Sequence, residues 1–255
     1  MHNRLFDAFP DDVRSELERH ASRLSLGRGV VLHRPGCVIE ELYFPLDCLV
    51  SITITTQEGR TAETGVVGNR EVVGVNAFMG GRETTQTEYV IQIEGGAIKV
   101  PADPLLHAFN TDKRVRDVLL KYTQAMIAQI SQNAACNRLH NVQQRYARWL
   151  LEVRDRVESN ELRLTQEFAA EMLGVRRATV TETAMVFELK GLLSIHRGEI
   201  RILDGDGLKQ AACECYCVLN EEYDRLLGHA PRKSATVPTG SRNARTMARN
   251  DPPNR

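Results

Sequence analysis

The sequence predicts an α+β chain: a small antiparallel β structure first, then a long helix, then a short helical domain closed by a hairpin. Three observations carry that prediction. Of the 18 glycines, 11 fall between Gly27 and Gly96, among short apolar runs. At about Lys113 the apolar period changes from two to near 3.6, and neither Gly nor Pro interrupts the chain until Gly174. Beyond Ser159 and Asn160, two short amphipathic stretches joined through Gly174 precede a pair of alternating runs.

Composition sets the outer bounds. The 255 residues are 42% hydrophobic and 26% charged, ordinary for a globular chain with one or two cores. Basic and acidic side chains balance at 33 each, so net charge favours no class of partner. The balance hides an asymmetry. Residues 230–255 hold Arg232, Lys233, Arg242, Arg245, Arg249 and Arg255 against Asp251 alone, a local charge of +5. That segment has almost no large apolar residue, so residues 229–255 are expected to be a disordered basic tail with weak adhesion to DNA. No apolar run approaches the roughly 18 residues of a membrane span, and the N-terminus is too charged for a signal peptide. A cytoplasmic protein without a membrane partner is expected, its six cysteines reduced thiols.

The elements follow in order. DDVRSELERHA reads as a helix with Pro10 and Asp11 near its start. The runs VVLH, LYFP, LVSITIT, ETGVVG and EYVIQI read as strands separated by turn signals. Along Leu49–Thr55, Leu49 and Ser51 lie on one side and Val50, Ile52 and Ile54 on the other, and QEGR then supplies a hairpin turn. Residues 1–110 are thus a β-rich domain with a helical lead-in. In the long helix, Val115, Leu119, Tyr122, Met126, Ile130 and Asn133 recur at spacings of three or four and form one face. Val118, Ala125, Ile127, Ala128 and Ala134 make a second apolar set, so one face can pack on the β domain while another meets a second helix, as in a dimer; the alternative is a helix wholly buried in one large core. The first set is the expected dimer interface, with Asn133 and Asn137 as register devices, and residues 111–140 the dimerisation helix. After a break near His140 and Asn141, VQQRYARWLLEVRDRV is amphipathic, with Tyr146, Trp149, Leu150 and Val153 at core spacing.

Residues 162–204 carry the chemistry. Thr165 can cap a helix beginning at Gln166, and Gly174 sits where a helix needs a left-handed C-terminal residue. A second helix runs from about Arg177 to Leu189, and LLSIH, a turn at Arg197-Gly198 and EIRIL make a hairpin. Helix, glycine turn, helix and hairpin form a winged helix-turn-helix, which sets the start of its second helix against base edges in the major groove. Arg176, Arg177, Thr179, Thr181 and Glu182 fall there, with Ala178 among them and Val180 facing inward. Arg177 suits a bidentate contact to guanine and Glu182 can accept from cytosine. Thr165, Gln166, Thr179, Thr181, His196 and Arg197 are the remaining contacts, mostly to phosphate. Residues 160–203 carry six basic and six acidic groups, so the positive field is local. Two adjacent arginines at the positive end of a helix dipole are poorly placed unless an anion offsets them. Residues 141–228 are the predicted DNA-binding domain.

The order of these parts resembles the Crp/Fnr superfamily of bacterial transcription regulators over about residues 5–227. The most specific piece is LTQEFAAEMLGVRRATVTETAMVFELKGLLSIHRGEIRILD, and ISQNAACNRLHNVQQRYARWLL is similar to the long helix and hinge of that family. The resemblance implies a cyclic-nucleotide-binding-like jelly roll as sensor and a homodimer on a palindromic operator of double-stranded DNA. RNA polymerase stands as an open further partner. The family's base-reading arginine matches Arg177. The next family position, often Glu, is Ala178, and a later one, often Arg, is Glu182, so the family's half-site is not carried over.

Family members that bind cyclic AMP share a Gly-Glu-Leu segment followed by Arg-Ser or Arg-Thr. In VVGVNAFMGGRETTQTEYV, Val75 falls near the Glu position and Thr85 and Gln86 near the Arg-Ser pair. An unpaired cyclic phosphate would forfeit about 1.5–3 kcal/mol. The resemblance therefore implies a branch without the cyclic-AMP motif, with Gly74, Val75, Asn76, Thr85 and Gln86 as effector candidates. Arg82, in the turn after Gly80-Gly81, keeps a cyclic-nucleotide-responsive regulator open as the alternative. An apolar cavity lined by Val73, Val75, Phe78 and Val90 is a further expectation. An iron-sulphur cluster of the family type needs several N-terminal cysteines, and the first here is Cys37. Haem would need a well-placed ligand in the roll; His33 and Cys48 are there, but a single His among strands is more often a satisfied surface or core group. No cofactor is expected.

Cys213, Cys215 and Cys217 read as one helix, on which residues two apart point about 200° from each other, so no metal is expected there. A cupin-type metalloenzyme needs two or three histidines and a carboxylate in the barrel, and the β region offers His33 alone. No enzyme is expected.

Overall fold

The computed structural model describes residues 2–80, 86–196 and 198–228. The tail 229–255, Arg82, Thr85 and Arg197 lie outside the described residues. Helices α1 (Arg4–Asp7) and α2 (Asp11–His20) lead into seven strands. These are β1 (Ser22–Leu26), β2 (Val31–His33), β3 (Glu41–Pro45), β4 (Leu49–Thr55), β5 (Thr61–Val67), β6 (Thr87–Ile93) and β7 (Gly95–Pro101), with a 3-10 turn at Val75–Phe78 before β6. Every pairing is antiparallel, in a sheet of order β1-β7-β3 and another of order β2-β6-β4-β5. The β4–β5 hairpin closes where Thr56 and Arg60 pair and Gly59 takes φ +79°.

Helix α3 (Ala102–Thr111), opened by Pro101 with Asp103 in its first turn, precedes α4 (Lys113–Leu139). Asp112 separates them and caps α4, its carboxylate accepting from the Arg114 amide at 2.8 Å. Then come α5 (Val142–Val157), β8 (Glu161–Leu162), α6 (Gln166–Leu173), α7 (Arg177–Leu189), β9 (Leu193–His196), β10 (Glu199–Ile202), α8 (Gly205–Ala211) and α9 (Cys215–Leu227). Asn141 opens α5 with a capping box shared with Gln144.

Both faces of β4 are buried from Leu49 to Thr53. One lies in the roll, where Val50 and Ile52 meet Val67 and Tyr89. The other is covered by the C-terminal domain: Leu49, Val66 and Ile93 join the cluster built on Tyr146, Trp149 and Phe168. Trp149 is core packing, as its spacing suggests, 3% exposed and 5.8 Å from the Phe168 ring.

The predicted dimer face on α4 is corrected. Val115, Leu119 and Tyr122 are fully buried in the chain's own core with Phe44, Val72 and Leu105, and Met126 packs against the same cluster. The Tyr122 hydroxyl donates to Val72 O at 2.9 Å. Asn133 donates to Thr64 O at 3.2 Å and accepts from Arg148 at 2.7 Å, so its polar groups are used within the chain. Ile130 alone of the six is exposed. The roll takes the more apolar stripe of the helix. The stripe left outside is Leu120, Gln124, Ile127, Ser131 and Ala134, at alternating spacings of four and three.

One buried polar network ties the parts together. Arg156, 0% exposed, donates through Nε to both oxygens of Glu71 at 3.1 Å and through Nη2 to Gln129 at 3.2 Å. Tyr223 donates to the same Gln129 oxygen at 2.8 Å, and Arg70 stacks over the Tyr223 ring. The roll, α4, α5 and α9 thus meet at one charge-compensated point.

Candidate nucleic-acid interface

Local chemistry fixes the two helices of the C-terminal domain. The Thr165 hydroxyl accepts from the Phe168 amide at 3.2 Å and so starts α6. Gly174, at φ +63°, ends it and returns its own amide to Ala170 and Glu171. Three residues on, α7 begins at Arg177, with Arg176 as an N-cap whose side chain makes no capping bond. The buried face of α7 is Val180, Thr183, Ala184 and Phe187, the last stacked on Tyr146 at 6.0 Å. β10 pairs with both β8 and β9, and the wing turns at Gly198, φ +84°.

Six of the eight described candidates fall into three groups. Gln166, Arg177 and Thr181 come together: Thr181 donates to the Gln166 side-chain oxygen at 2.7 Å, and Arg177 reaches Glu167 at 3.4 Å. Thr179 and Glu182 line a cleft with Asn141, Val142 and Gln143 at the start of α5. His196 is exposed at the tip of the wing. Arg176 and Arg177 are both exposed beside the free amides of the helix start, an arrangement that attracts anions. Thr165 accepts in the cap through its hydroxyl oxygen.

Residues 144–211 match the family model of the Crp-like helix-turn-helix domain. The chain carries a Crp-like helix-turn-helix domain on a Crp/Fnr-type fold. FixK2 from Bradyrhizobium japonicum is similar with a TM-score of 0.65 at 17% identity, over 76% of this chain and 98% of that one. A CRP/FNR-family transcriptional regulator from Thermus thermophilus gives 0.60 at 21% identity, over 75% and 98%. The c-di-GMP responsive global regulator CLP of Xanthomonas campestris gives 0.60 at 18%, over 76% and 99%. No curated sequence matches the chain. Among the described residues no helix is long and apolar enough to cross a membrane.

Among the described residues, Val73, Val75 and Phe78 of the expected cavity do not share one apolar layer. Val75 and Phe78 are buried in the layer shared with Leu5 and Leu105, and Phe78 stacks on Phe109 at 5.3 Å. Val73 belongs to the other layer, with Val50 and Ile91. Their apolar surface is spent on two separate cores. Among the effector candidates, Gly74 opens the 3-10 turn at φ +99°, Val75 faces the core, Asn76 lies in the turn, and Gln86 is exposed before β6. His33 is a core ring between Tyr43 and Tyr89, and burial lowers its pKa.

Two sites escape the sequence. Glu63 on β5 sits where the roll meets the C-terminal domain, among Val66, Arg148, Trp149 and Met172. It accepts from Ser51 at 2.6 Å, and burial, with the nearby Glu152 carboxylate, raises its pKa to about 8. The second corrects the thiol reading. α8 ends at Ala211, and Ala212 turns extended at ψ 158°, so Cys213 precedes α9 rather than lying on it. Cys213 and Cys215 therefore converge, on Cys136 and His140 at the end of α4. The Cys136 thiol is lowered to about 5, chiefly by the hydrogen bond from Cys213, while Cys213 is raised. The spacing of Cys136 and His140 is the one legible trace, since residues four apart share a helix face.

Proposed function

We propose that the chain is a sequence-specific DNA-binding transcription regulator that acts as a homodimer on a palindromic operator. The observation that carries this reading is the exposed start of α7, where Arg176 and Arg177 stand side by side at the positive end of a helix packed as the second helix of a Crp-like domain. Arg177 reads a base edge, Glu182 a neighbouring one, and Arg176, Thr165, Thr181 and His196 hold the backbone. Glu167 pre-positions the Arg177 guanidinium through an exposed pair that DNA displaces at little cost.

The second copy packs along Leu120, Ile127 and Ala134 of α4, with Ile130 at the flank. Their seven-residue repeat is the period that keeps a seam between two helices. The roll supplies a signal whose chemistry this reading leaves open, and no cyclic AMP, haem or iron-sulphur cluster enters it. The test is selection of fragments from a random DNA pool by the purified chain. Enrichment of an inverted repeat supports the reading, and a pool that remains random at every round refutes it.

A further inference from the structure

The only buried cluster formed entirely by cysteines among the described residues is Cys136, Cys213 and Cys215, and it lies outside the three large cores. His140 completes it. The Cys136 and Cys213 sulphurs are 3.5 Å apart, and Cys215 Sγ lies 3.5 Å from His140 Nδ1. All four donor atoms fall within 4.8 Å of one another. A tetrahedral Zn²⁺ with bonds of about 2.3 Å to sulphur and about 2.0–2.1 Å to nitrogen has edges of about 3.5–3.8 Å. The two 3.5 Å approaches therefore have the length of such edges, far beyond the roughly 2.05 Å of a disulfide.

The surroundings are those of a ligand set. Glu214 faces His140 Nε2 at 3.1 Å, a partner that holds a proton on that nitrogen and leaves Nδ1, 3.5 Å from Cys215 Sγ, as the ring's donor atom toward a metal. Gln132 donates to Cys215 Sγ at 3.0 Å, a bond suited to a thiolate. Three thiolates and a neutral imidazole around a divalent ion leave one net negative charge. The guanidiniums of Arg145 and Arg148 lie close enough to feel the Cys136 and Cys213 charges and offset it. Cys217 packs against the C-terminal core instead, and Cys37 is exposed.

We propose that Cys136, His140, Cys213 and Cys215 bind one soft divalent metal ion of the Zn²⁺ class in a Cys3His site. Three thiolates and an imidazole favour such an ion over Mg²⁺ or Ca²⁺, and the four donors are too close together to enclose a multi-iron cluster. The ion joins the last turn of α4 and its cap His140 to the link between α8 and α9. It thereby pins the segment from which α5 departs and fixes the DNA-binding domain on the long helix. The metal site stands on its own geometry; only this clamping consequence rests on the DNA-binding reading.

The experiment is a Co²⁺ titration of the full chain, reduced and freed of metal with a chelator, read by visible and near-ultraviolet absorption. The expected result is saturation at one Co²⁺ per chain, with the intense visible bands of tetrahedral coordination and a thiolate charge-transfer band, displaced by Zn²⁺. Cys136→Ser and Cys215→Ser should each lose the charge-transfer intensity and bind at least about 10-fold more weakly, while Cys217→Ser and Cys37→Ser should match the parent. Glu214→Gln should keep the bands and weaken binding about 10- to 100-fold. Weak octahedral-type absorption, far less than one ion per chain, or unaltered binding by Cys136→Ser overturns the site. So does a Cys136–Cys213 disulfide that persists under reducing conditions. Should the metal bind as expected while operator affinity is the same with and without Zn²⁺, the site stands and the clamp is overturned.

Discussion

Arg177 carries base reading in the proposed function, and Glu63 sets a condition on stability. Replacing Arg177 by Ala should cost about 1–3 kcal/mol of operator affinity and relax preference at one base position, measured by fluorescence anisotropy on the selected site and its single-base variants. An unchanged affinity would remove Arg177 from base reading. Glu63 makes a different prediction. Its folded pKa of about 8 lies above the carboxylate value of 4.5, so folding takes up a proton in that window. Stability should therefore fall as pH rises from about 5 to 8, by at most about 1.4 kcal/mol per pH unit from this group. Urea unfolding at the two ends of that range should show the slope, and Glu63→Gln should flatten it. The exposed place of Arg177 at the start of α7 is legible in the sequence because a helix start is a local matter. The raised pKa of Glu63 is not, because its environment is made by Trp149 and Met172, about a hundred residues further along.

The long helix α4 makes the corresponding point about elements. The sequence marks more than one apolar face on it, and the roll takes the more apolar one, which leaves Leu120, Ile127 and Ala134 outside. Leu119→Ala should destabilise the fold by about 2–5 kcal/mol, because Leu119 is fully buried. Ile127→Arg, at a position 54% exposed, should leave the unfolding midpoint nearly unchanged and convert the proposed dimer to a monomer in light scattering. A dimer that survives Ile127→Arg would place the seam elsewhere. The two helices of the helix-turn-helix are legible almost to the residue because Thr165, Gly174 and Gly191 punctuate them locally. α3 is harder to separate from β7, since Pro101 is both the last residue of the strand and the N-cap of the helix. The link holding Cys213 is hidden for a related reason: α8 and α9 lie so close in sequence that the extended turn at Ala212 leaves no signal.

The molecule as a whole is held at the point where Glu71, Gln129, Arg156 and Tyr223 meet. Removing the carboxylate leaves Arg156 buried without its main partner, so Glu71→Ala should cost about 3–5 kcal/mol in chemical denaturation. Gly68 lies at the same point: a Cβ there would come within 2.4 Å of the Arg156 Cβ, so Gly68→Ala should also destabilise. Because that junction and the cysteine cluster both brace α4 against the C-terminal segments, the winged domain has a defined place on the long helix. In the proposed dimer, two copies joined along α4 would present two α7 helices related by a two-fold axis. The half-sites they read should lie one helical turn, about 34 Å or 10–10.5 base pairs, apart. The deciding measurement is affinity for the selected operator across a series of centre insertions. Inserting about half a turn should lower affinity at least about 100-fold, with partial recovery near a full turn. Affinity indifferent to the insertion would contradict a symmetric dimer reading two major grooves.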